Sequence, residues 1–121
     1  MKFVSWQPVE EIFAAVRAYA ASSDPVTAAC GRMLLKLVEY LQSRGPIPKA
    51  GVMFFENRLM INLYHPSRSV SVWGDWNDYS EMRGGLPVMH YRLQITKPDS
   101  VLSENKRVAT LVEAACAILS A

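Results

Sequence analysis

At Gly51 the spacing of the apolar residues changes, and no single type of secondary structure can satisfy both halves. Upstream, Val9, Ile12, Phe13, Val16 and Ala20 recur at helical intervals, as do Met33, Leu34, Leu37, Val38 and Leu41. Downstream the period is two, the alternation of a half-buried strand. Each pattern leaves one apolar side that needs cover. Helices laid on one face of a sheet meet both needs at once.

Local signals place the boundaries. Pro8 suits a first helical turn, where its missing N–H costs little. Asp24-Pro25 reads as an N-cap followed by the first position of a second helix. Gly45 ends that helix, and "GPIPK" reads as an extended connector. "GVMFFE" and "LMINLYH" flank Asn57-Arg58, which predicts a two-residue hairpin turn with Phe55 opposite Met60 and Phe54 opposite Ile61. "HPSRS" turns the chain before "VSVWGD", and "VMHYRLQIT" is the clearest strand. A third helix is expected through "KPDS" or "LSEN", with Val108, Leu111, Val112, Ala115, Ile118 and Leu119 on one face. The expected fold is α+β: two N-terminal helices, a four-stranded antiparallel meander and a C-terminal helix. The helices pack on one sheet face, and residues 1–121 form one domain.

Composition agrees with a folded chain, at 50% apolar and 20% charged residues. The net charge of +2 is too small to imply nucleic-acid binding by itself. Cys30 and Cys116 sit among small apolar neighbours and read as buried thiols. "MKFVSWQPVEEIF" lacks the apolar run of a signal peptide, and no stretch is apolar enough to span a bilayer. The expected location is the cytoplasm.

Alternation also assigns the side of the sheet away from the helices. It carries Met53, Phe55, Met60, Asn62, Tyr64, Ser71, Trp73, Asp75, His90, Arg92 and Gln94. Lys, Glu and Thr would mark an ordinary solvated face; aromatics, methionines and arginines are the residues enriched in interfaces. The long stretch 73–87, "WGDWNDYSEMRGGLP", either covers this face or stays free beside it. In a meander the first and third connections share one end, so Arg58 and this stretch are expected to be neighbours.

Few residue groups point to chemistry. His65 and His90 are the candidate acid–base groups; His65 continues the core-side register while His90 faces outward, so the two do not converge. A small hydrolase would have to use His90 with Asp75 and Tyr79. No Cys or His spacing fits a metal site, and Gly84-Gly85 lacks the lysine and helix of a phosphate loop, so neither metal nor cofactor is expected. Phe55, Tyr64 and Trp73 share a face, as a stacking platform for single strands would require, with Arg58, Arg68 and Arg92 for phosphates. Lys106-Arg107 falls at the wrong end of the expected third helix for its dipole.

The pattern therefore points first to a protein-binding module of inhibitor or immunity type. Examples would be a bacterial toxin inhibitor or a phage anti-defence protein, occluding a site on its partner. Trp73, Trp76 and Tyr79 would be aromatic anchors, Tyr64 a further partner-binding residue, and His90 and Arg92 hydrogen-bonding groups. Asp75, Asp78 and Glu81 would complement a basic partner surface. A homodimer through the same face is a variant of this reading. No membrane partner is expected.

Overall fold

The computed structural model describes residues 8–44, 49–55, 58–65, 68–76, 82–83, 86–87, 89–97, 103–108 and 110–119. Helix α1 (Val9–Ala20) starts behind an extended Pro8, whose carbonyl accepts from the N–H groups of Glu11 and Ile12. Helix α2 (Pro25–Ser43) is capped as its sequence predicts. The Asp24 carboxylate accepts from the Thr27 N–H at 2.8 Å and from the Thr27 hydroxyl at 2.7 Å. Those bonds hold the Asp24 carboxyl below its ordinary pKa.

The strands are β1 (Lys49–Phe55), β2 (Arg58–His65), β3 (Arg68–Trp76), β4 (Met82–Arg83), β5 (Leu86–Pro87), β6 (Met89–Thr96) and β7 (Ser103–Val108), and α3 (Leu111–Leu119) follows. The main sheet has five antiparallel strands in the order β1-β2-β3-β6-β7, while β4 and β5 pair separately. The chain is thus α+β, with one strand more in its main sheet than expected. Among the described residues no helix is long and apolar enough to cross a membrane.

The extra strand is the main correction. Ser103–Val108 was expected at the entry of the third helix, yet it pairs with β6, with Arg107 beside Arg92. As an edge strand exposed from Ser103 to Arg107, it needs no apolar alternation, so its pattern gave no period to read. Placing Lys106-Arg107 in a strand also removes their conflict with a helix dipole. The true start of α3 is an N-cap at Thr110. The Thr110 hydroxyl oxygen accepts from the Glu113 N–H at 3.2 Å, and the hydroxyl donates to the Glu113 carboxylate at 2.9 Å.

The first hairpin is also shifted. Phe55 pairs with Arg58 and Met53 with Met60, so Arg58 belongs to β2, not to the turn. The slip is two residues, the side-chain period of a strand, so every side chain keeps its expected face. Strand β3 runs through Trp76, which pairs with Met89, so the excursion begins after Trp76. The described part of that excursion includes β5, which lies beside α2. Residues 45–48 of the expected "GPIPK" connector, 98–100 of "KPDS", Asn57 and Gly84-Gly85 lie outside the described residues, while Lys49 already belongs to β1.

The core sits between the helices and one sheet face. Ile12 and Val16 of α1, Leu34 and Leu37 of α2, and Ile118 of α3 meet Ile61, Leu63, Val70, Val72 and Leu93 of the sheet. Burying each such side chain contributes about 1.5–3 kcal/mol. Two long polar side chains on this side reach backbone carbonyls of the helices. The Tyr91 hydroxyl donates to the Met33 carbonyl at 2.8 Å. Arg68, expected among the phosphate-binding arginines, is instead buried on the core side and donates to the Ile118 carbonyl at 2.7 Å. Burial pushes the Cys30 thiol up to about 11, and its Sγ donates to the Gly74 carbonyl at 3.4 Å.

Candidate docking face

The register arranges the helix-free face in rows across the strands. One row runs Met53, Met60, Trp73, Arg92, Arg107, from apolar at β1 to cationic at β7. The next runs Gly51, Asn62, Ser71, Gln94, Asn105 and is polar throughout after the glycine. A concavity of about 470 Å³ opens over these rows. Met53, Phe55, Met60 and Trp73 form its apolar wall; Arg58, Ser71, Gln94 and Asn105 supply its polar side. Its size and mixed lining are those of a pocket that takes an apolar group and orients it with a few hydrogen bonds.

The apolar wall is open. Phe55 is 57% exposed, and Met53, Met60 and Trp73 are half-buried. The polar row is partly self-satisfied. The Ser71 hydroxyl bonds the Asn62 side-chain oxygen, and the Gln94 amide donates to the Ser103 hydroxyl at 3.0 Å. Asn62 is only 7% exposed, and its amide nitrogen has no partner among the described residues.

At the excursion end, charge is organised around Asp75. Its carboxylate meets the Arg58 guanidinium at 3.0 Å and the Arg92 Nε at 4.0 Å, and accepts from the Trp76 N–H at 2.9 Å. Arg58 also lies over the Trp76 ring, 4.7 Å from its centroid, a cation–π contact. The expected neighbourhood of Arg58 and the 73–87 stretch is therefore observed.

His90 stands beside Asp75 in the register. It is 5% exposed, and neither ring nitrogen has a partner among the described residues. Burial first, then the positive charge of Arg107, holds its pKa below the ordinary value, with Asp75 opposing and Arg92 adding. Its ring is withdrawn from solvent, and the Asp75 carboxylate faces arginines. No three His, Cys, Asp or Glu side chains among the described residues cluster as a metal site would.

Of the residues singled out in the sequence, Trp73 lines the groove and Asp75, Trp76 and Arg92 gather at one end of it with Arg58. Tyr64 is half-buried and pairs with Lys49 and Ser69, two rows from Trp73, with the polar row between them. That offset is about 13 Å along the strands, so Phe55, Tyr64 and Trp73 do not form one contiguous stacking surface. Asp78, Tyr79 and Glu81 lie outside the described residues. Sequence reasoning missed Asn105 and misplaced Arg107, because it assigned their segment to a helix. Compared with known proteins, the chain matches no family model, no curated protein and no solved structure.

Proposed function

We propose that this protein is a binding module of inhibitor type, which docks another protein on the helix-free face of its sheet and so occludes a site on that partner. One observation carries the reading. The groove of about 470 Å³ is walled by Met53, Phe55, Met60 and Trp73 and stays open on a face that folding alone gives no reason to make apolar. Aromatics, methionine and arginine, with hydrogen-bonding amides beside them, are what protein interfaces concentrate. The separation of Tyr64 from Trp73 weighs against the alternative of stacked bases along a single strand. The buried ring of His90 weighs against the hydrolase alternative.

The test is affinity capture from the source cell with the wild type and with Phe55→Ser/Met60→Ser. The expected result is a protein retained by the wild type and lost by the double variant, while thermal unfolding of the variant stays cooperative. Equal recovery by both proteins would overturn the reading.

A further inference from the structure

The cationic end of the groove row contains an arrangement that folding does not favour. Arg92 and Arg107 are direct cross-strand partners on β6 and β7. Like charges placed opposite one another destabilise a sheet. The acid nearest to them does little to relieve this: Asp75 meets Arg58 at 3.0 Å but Arg92 only at 4.0 Å. Arg107 is exposed and has no ion pair among the described residues. The Arg92 side chain is 41% exposed. In the same row, one strand over, stands Trp73 at the apolar wall. Asp75 is the one carboxylate that the described strands place on this face; Glu104 belongs to the opposite face of β7.

From this juxtaposition we infer that the partner presents an acidic segment. An apolar side chain of that segment enters the groove between Phe55, Met60 and Trp73, and a neighbouring carboxylate sits across Arg92 and Arg107. The inference rests on the docking reading and adds the chemistry of what docks. It reverses the charge expected of the partner, because Asp75 already has cationic partners of its own. Two adjacent guanidinium groups can each offer paired N–H donors to a carboxylate, so the anion relieves their repulsion as it binds. Exposed charges of this kind steer encounter and make binding salt-dependent, while the apolar anchor supplies residence.

The test is selection of a random linear-peptide display library on the intact chain, followed by anisotropy titrations of the enriched peptides. Acidic residues flanking a Phe, Leu or Trp are expected to be enriched. Their binding should weaken about tenfold in Arg92→Gln/Arg107→Gln, should weaken with added salt, and should be lost in Phe55→Ser/Met60→Ser. Thermal melts of each variant check that the fold persists, and the salt titration needs no variant. Apolar peptides without acidic bias, still lost in Phe55→Ser/Met60→Ser, overturn the charge inference and leave the docking face standing. Peptides indifferent to the groove substitutions overturn both. Retention of an oligothymidylate probe with no peptide enriched would assign the arginines to phosphates and overturn the inference, as would enrichment of nothing at all.

Discussion

Asp75 accepts from the Arg58 guanidinium at 3.0 Å and from the Trp76 N–H at 2.9 Å, so its carboxylate has partners within the fold. His90, beside it, is the opposite case: a buried ring whose nitrogens find no partner among the described residues. Its depressed pKa has a consequence for stability. The unfolded chain takes up the proton near the ordinary value of 6.5, before the folded chain does. Stability is therefore full above that value and falls as pH drops below it toward the folded pKa. Melting temperature followed from about pH 8 to about pH 5 should decline across this window, and His90→Gln should flatten the decline. The orphaned Asn62 amide on the same face has no titratable counterpart and should leave no pH signature.

Among the elements, the α1–α2 pair depends on Gly31. A Cβ there would stand 2.4 Å from the Ala20 nitrogen and 2.5 Å from its Cα, both backbone atoms that cannot turn aside. Alanine would gain about 1 kcal/mol in helix propensity. The clash outweighs that gain, and Gly31→Ala should destabilise by a net amount on the order of 1–3 kcal/mol in urea unfolding. Gly74 plays a milder part, with an added Cβ 3.0 Å from the Cα and Cβ of Cys30. The Asp24 cap was legible because it acts within three residues of itself, and Thr110 works over the same short range. Thr110 was overlooked only because the segment before it was read as helix. Strand β7 was not legible, since an exposed edge strand answers to its neighbour β6 and not to any apolar period of its own.

On the scale of the whole molecule, the sheet has one face for folding and one for contact. Met60 and Ile61 are adjacent on β2 and point to opposite sides. Ile61→Ala should cost about 2–5 kcal/mol by opening a cavity in the core. Met60→Ala should cost about 1 kcal/mol or less while impairing capture of the partner. Denaturant titration of both variants checks the pair, and equal losses would mean that the outer face also serves as core. The two-residue slip of the first hairpin shows why this division was readable before the structure: it changes which residues pair but not which side they face.

The sequence by itself determined the first two helices, the strands β1, β2, β3 and β6, and which of their outward residues from Met53 to Gln94 leave the helix side. Those properties follow from short-range periodicity, from capping residues, and from the geometric alternation of a strand. Only the tertiary structure decided what stands next to what. It paired Arg107 with Arg92 and set Tyr64 two rows away from Trp73. Register and strand order arise from contacts between distant segments, and local spacing does not encode them. The same long-range pairing turned a list of outward residues into a groove with an apolar wall and a cationic end.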